Sequence, residues 1–242
     1  MTAVALVQVR TGSTRLPGKA LRPLAGVPLT VHVINRIKAA GCFARIVLAF
    51  PDQEEDAVFY GLAREHGIAA WAGSRDDVLA RFAGALAAFP GEPVVRFCGD
   101  NPLLATELAP QVIAAHTAAG ADWTAMTGLP LGCGFEVISA AALQRAHREA
   151  TQAHQREHVT PYLREHPEQF KLLQPAAPRC YPAVRLTVDT ADDLALLERI
   201  YAALWRPGAV VALDDALVLL AQHPEWQALN AHVRQKPPTA VG

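Results

Sequence analysis

The chain has 242 residues, 51% of them hydrophobic and 19% charged, with a formal net charge of −1. That composition supplies a sizeable core, while the near-neutral balance excludes a general nucleic-acid or anionic-membrane binder, so basic residues with a role must act locally. Its four cysteines, Cys42, Cys98, Cys133 and Cys180, are scattered with no Cys-x-x-Cys pair, which argues for free thiols and against a zinc site.

No apolar run reaches the roughly 18 residues of a membrane span, and the N-terminus lacks the pattern of a secretory leader. The expectation is a soluble, cytoplasmic protein of one domain over residues 1–234, with a loose tail at 235–242.

The first strand is expected over residues 3–9, a short Val- and Leu-rich run halted by turn residues, as in buried parallel strands. The loop that follows, 10–19, carries Arg10, Arg15 and Lys19 together with Gly12 and Gly18. Glycines let backbone N–H groups approach phosphate oxygens closely, and fixed cations neutralise them, so this composition after a strand suits a polyanion such as a nucleoside triphosphate. Ala20 after the lysine rules out a Walker A loop.

A helix over 28–40, with Pro28 in its first turn and Gly41 at its end, precedes a second strand at 45–50. Asp52 and Glu55 have capping-box spacing for a helix through Glu65, and a third strand occupies 68–71. Residues 73–77 open a helix over 78–89, with Ser74 as its N-cap. A fourth strand at 93–97 runs into Asp100. Strands alternating with helices of this length predict an α/β fold with a parallel sheet covered on both faces.

Further on, a helix is expected at 106–119, a strand at 122–126, a turn-rich passage at 128–134 and a strand at 135–138. Ser139 should cap a helix to about 150, and 171–174 reads as a strand. Residues 128–182 are expected to form an inserted region. Residues 183–188 read as a strand ending at Asp189, after which Thr190 and Asp193 form a capping box. Short helices follow, one of them at 225–233. Asp100 and Asp189, both just past strand ends and opposite a basic loop, would make a hard-oxygen site suited to Mg²⁺ and phosphates.

The loop Arg10-Thr11-Gly12-Ser13-Thr14-Arg15-Leu16-Pro17-Gly18-Lys19 resembles the signature of the cytidylyltransferases that activate acidic sugars, ketodeoxyoctonate and nonulosonates among them, including the spore-coat polysaccharide branch. Further segments are similar in the family's order: 73–82, 99–103, 135–139, 156–162 and 185–190. Asn101 and Gly132-Cys133-Gly134 depart from that branch's pattern, the latter within residues 128–182, which the resemblance makes the acceptor side of the cleft and a contact between two copies of the chain.

The resemblance implies a Rossmann-like nucleotidyltransferase three-layer sandwich with a mostly parallel sheet, a homodimer, Mg²⁺ as cofactor, and CMP transfer from CTP to an acidic sugar with release of pyrophosphate. It implies catalytic roles for Arg10, Arg15, Lys19, Asp100 and Asp189, with Asp100 and Asp189 as metal ligands. Nucleotide contacts would come from Arg10, Gly12, Ser13, Arg15, Lys19, Ser74, Arg75 and Asp100, and acceptor contacts from Glu136, Arg156 and His158. Alternatives are a different nucleotide, a phosphonate or phosphate-ester acceptor, or a non-catalytic nucleotide-binding module. A glycosyltransferase would carry Asp-x-Asp where this chain has Asp100-Asn101-Pro102.

Overall fold

The computed structural model describes residues 2–181 and 183–235. In chain order, β1 (Val4–Gln8) leads through the basic loop to a small hairpin of β2 (Pro23–Leu24) and β3 (Val27–Pro28). Then come α1 (Leu29–Ala39), β4 (Arg45–Pro51), α2 (Val58–Glu65), β5 (Ala69–Gly73), α3 (Val78–Ala88) and β6 (Val94–Cys98). The second half runs α4 (Ala109–Ala119), β7 (Trp123–Ala125), β8 (Glu136–Ile138), α5 (Ala140–Glu149), α6 (Ala153–His158), α7 (Pro161–Glu165) and β9 (Leu172–Leu173). It closes with α8 (Ala191–Leu204), α9 (Leu213–Gln222) and α10 (Pro224–Gln227).

Seven of these strands form one sheet in the order β5-β4-β1-β6-β8-β7-β9. The four at the β5 end are parallel, β8 is antiparallel to both β6 and β7, and β9 is parallel to β7. Buried side chains pack on both faces. Ala5, Val7, Val95 and Phe97 point toward α1, α4 and α8, whereas Val4, Leu6, Val47 and Val94 meet α3, α5 and α7. This is the three-layer α/β architecture expected from the alternating pattern, because successive strand residues face opposite sides and each side needs a helical cover.

The chain leaves β1 toward β4 and β5, then returns to β6 on the other side of β1. The sheet therefore switches direction between β1 and β6, and their carboxyl ends lie level, with Gln8 opposite Cys98. Open α/β sheets bind ligands at such a crevice.

Several sequence expectations need correction. Residues 183–188 are not a sheet strand: only Arg185 forms a bridge, to Leu131, with the Leu131 N–H donating to Val184 O and the Leu186 N–H to Leu131 O. Gly132 permits this approach, since at φ +94° a Cβ would lie 2.5 Å from the Thr187 nitrogen. The Asp52–Glu55 box does not form; a 3₁₀ turn, Glu54–Asp56, precedes α2 instead. Ser74 is not the N-cap of α3, for Asp77 takes that place and accepts from the Ala80 N–H. The last expected helix stops at Gln227. Residues 128–182 contribute β8 and β9 to the central sheet. Of the expected tail, residues 236–242 lie outside the described residues.

Candidate active site

The loop after β1 and the loop after β6 leave the sheet side by side, and this brings Lys19 to Asp100. A backbone bond from the Gly99 N–H to Gln8 O holds the two loops level. Gly99 is required there, since a Cβ would sit 2.9 Å from that same oxygen. The basic loop closes on itself through the Gly18 N–H to Thr11 O, and the Leu16 N–H donates to Ser13 Oγ. Leu16 is buried in the core, so it pins the loop while Arg10, Gly12 and Arg15 remain exposed.

Lys19 is the centre of the cluster. Its ammonium lies 2.5 Å from Asp100 Oδ2 and 3.0 Å from Asp189 Oδ1, and it donates to Val188 O at 2.8 Å. Burial alone would pull the Lys19 pKa down, but the two carboxylates outweigh it and hold the ammonium above its ordinary value. Arg15 reaches the same Asp189 oxygen at 3.2 Å. For Asp189 burial pushes upward, and Lys19, Arg15 and Arg185 together bring the carboxyl below its usual range. The extended segment 183–188 carries Asp189 to this place, tied to the Asp100 loop by Thr187 Oγ1 donating to Asn101 Oδ1 at 2.8 Å.

Two residues behind the basic loop were not legible as parts of the site. Asp56 is buried and accepts the Thr11 N–H at 2.6 Å, anchoring the loop entry. Arg81 on α3 is buried; it donates from Nη1 to Ser74 O at 2.7 Å, and its Nε has no partner among the described residues. Burial and the neighbouring Arg10 push the Arg81 pKa down to about 10 against the pull of Asp56 and Asp77. A buried cation with a second cation beside it favours an incoming anion.

Ser74 accepts the Asp77 N–H, and Arg75 is exposed beside Asp76. Both lie past the carboxyl end of β5, on the edge of the sheet that carries the basic loop. Arg156 on α6 forms an ion pair with Asp77 at 3.3 Å and donates to His147 Nδ1, which joins α6 to the start of α3. His158 ends α6.

Glu136 pairs with Arg96 and accepts from Trp123 Nε1 at 2.9 Å and Thr160 Oγ1 at 2.7 Å; Arg96 in turn donates to Gln8 Oε1. Burial would raise the Glu136 pKa, and these donors hold it low instead. Its carboxylate is thus spent on internal donors rather than free in the cleft.

Among the described residues, no group of three or more His, Cys, Asp or Glu could hold a metal, and no helix is long and apolar enough to cross a membrane. A divalent ion held here would need ligands beyond Asp100 and Asp189. Triphosphate oxygens and water are ligands of that kind for Mg²⁺.

The chain is similar to known proteins in sequence and fold. A family model described as cytidylyltransferase matches residues 4–213. The spore coat polysaccharide biosynthesis protein SpsF of Bacillus subtilis is 33% identical over 228 residues, which cover 91% of this chain and 94% of that protein. A 3-deoxy-manno-octulosonate cytidylyltransferase of Methylibium petroleiphilum is 36% identical over 109 residues, 43% of this chain and 39% of that one. The solved structure of a cytidylyltransferase from Leptospira borgpetersenii has the same fold, with a TM-score of 0.87 at 21% identity, covering 98% of this chain and 99% of its own. With most of its length matched to the family model, and its basic loop and two aspartates gathered at the sheet's switch point, this chain belongs to the cytidylyltransferase family and is an enzyme of that kind.

Proposed function

We propose that the protein transfers CMP from CTP to an acidic sugar, with Mg²⁺ as cofactor and pyrophosphate as the second product, in the synthesis of a surface glycan. The observation that carries this reading is the meeting of three distant segments at one ammonium: Lys19 with Asp100 and Asp189. Two hard-oxygen donors that already enclose one cation fit a divalent ion completed by phosphate and water ligands. Asp100 and Asp189 would hold it, and bound there it would offset the charge of the triphosphate.

The chain's own residues do the rest by positioning and charge. An acceptor oxygen attacks the α-phosphorus in line, without a covalent enzyme intermediate. Arg10, Arg15 and Lys19 face the departing pyrophosphate, helped by the backbone N–H groups of Gly12 and Ser13. Ser74 and Arg75 line the nucleoside side. Arg156 and His158 bind the acceptor's anionic group, with Glu136 acting through Arg96 and Thr160 to fix that wall. The enzyme is expected to be a cytoplasmic homodimer.

The test is pyrophosphate release with each of the four nucleoside triphosphates and a panel of acidic sugars, phosphonates and phosphate esters. CTP with an acidic sugar should dominate, and Asp189→Asn should abolish turnover in a folded protein. Near wild-type turnover by that variant would remove the metal assignment. CTP binding without pyrophosphate release from any acceptor would remove the reaction.

A further inference from the structure

Asp189 has two carboxylate oxygens, and they face different surroundings. Oδ1 meets Lys19 and Arg15 in the cleft. Oδ2 accepts from Arg185 Nη2 at 3.0 Å, on the side away from the cleft cations. Arg185 is itself buried and gripped as a fork, with Nε on Asp193 Oδ1 at 2.8 Å and Nη2 on Asp193 Oδ2 at 2.9 Å.

Asp193 would complete the helix cap without Arg185. It is fully buried and accepts the N–H groups of Asp189 and Thr190, both at 3.0 Å. Adding a buried guanidinium to a finished cap costs desolvation, and such pairs are weak contributors to stability. What the fork adds is direction: a planar, bidentate grip fixes where the remaining N–H of Nη2 points.

The C-terminal segment closes the arrangement. Asn230 donates to Asp193 Oδ1 at 2.9 Å and to Arg185 O at 3.1 Å, and Gln235 Oε1 accepts from Arg185 Nη1 at 2.8 Å.

We infer that Arg185, braced by Asp193 and Asn230, is a positioning residue that holds back one oxygen of Asp189, so that this carboxylate offers a single oxygen to a cation in the cleft. The inference rests on the metal role proposed above for Asp189. One-oxygen ligation suits Mg²⁺ and Mn²⁺, which demand near-octahedral geometry, over Ca²⁺, which readily takes both oxygens of a carboxylate.

The experiment measures Mn²⁺ binding to the full-length protein with CTP by electron paramagnetic resonance, and Ca²⁺ binding by competition, with no turnover needed. Arg185→Gln should weaken Mn²⁺ binding about tenfold, the usual scale for groups that orient a metal ligand. Ca²⁺ should lose less, because the freed oxygen becomes available to it, and the Mn²⁺ over Ca²⁺ preference should shrink by at least about threefold. Asn230→Ala loosens the brace without touching Asp189 and should shift the preference the same way; it decides the matter alone if Arg185→Gln does not fold by circular dichroism. A folded variant that keeps the preference within twofold, whether both affinities hold or fall together, overturns the inference while the proposed reaction stands. Wild-type protein that binds no Mn²⁺ with CTP overturns both.

Discussion

Replacing Lys19 with methionine keeps the side chain as far as Cε and removes the ammonium between Asp100 and Asp189. The ammonium is 2.5 and 3.0 Å from the two carboxylates, and its side chain is only 14% exposed. At an effective dielectric of about 20, each contact has a gross Coulomb energy of several kcal/mol, most of it returned as desolvation. Measured losses on breaking buried pairs run to about 3–5 kcal/mol, and the partial exposure of Asp100 places this one near the lower end. A loss of about 3 kcal/mol lowers Tm by roughly 6–12 °C in a chain of this size. The variant should also respond to Mg²⁺ without nucleotide more strongly than wild type, since the carboxylates are left facing each other with no ammonium between them. Saturation at about 100 times Kd would restore close to 2.7 kcal/mol. Turnover should fall by about 10²–10³. Urea titration and thermal melts, each with and without Mg²⁺, read both effects. A variant within about 1 kcal/mol of wild type and equally indifferent to Mg²⁺ would refute the reading of Lys19 as the cation that holds the aspartates together.

Asp56→Ala should cost about 1–3 kcal/mol in urea titration, because it strips the Thr11 N–H of its acceptor, and should raise the KM for CTP by loosening the loop entry. Gly132→Ala should cost on the order of 3 kcal/mol, since both its φ and the Thr187 backbone exclude a Cβ; a neutral result in thermal melts would contradict the close approach. Glu136 is held below its ordinary pKa of 4.5, so its contribution to stability is present above that pH and is lost as pH falls through the lowered folded value. Glu136→Gln should therefore be less stable than wild type at pH 7 and flatten the acid side of the stability profile below about pH 4.5, as followed by urea titration at several pH values.

The features legible in the amino-acid order are local ones. The Val-rich run before the basic loop, the strand before Asp100, the Ser139 cap and the Thr190–Asp193 box each depend on residues within a few positions, where period and cap chemistry decide the outcome. Alternation of strands and helices then carried the layered architecture and the placing of the basic loop at a strand end. What the tertiary structure alone decided are pairings between distant segments. Asp56 meets Thr11 across 45 positions, and Lys19 meets Asp189 across 170. Residues 183–188 have strand composition, yet they lie beside Leu131 rather than in the sheet, and the commitment of Glu136 to internal donors followed from β6 and β7 packing on either side of it. Charges at such distances choose partners only after the core has set the backbone around them, which is why side-chain types raised the expectation of a phosphate site while packing determined which oxygen of Asp189 meets Lys19 and Arg15.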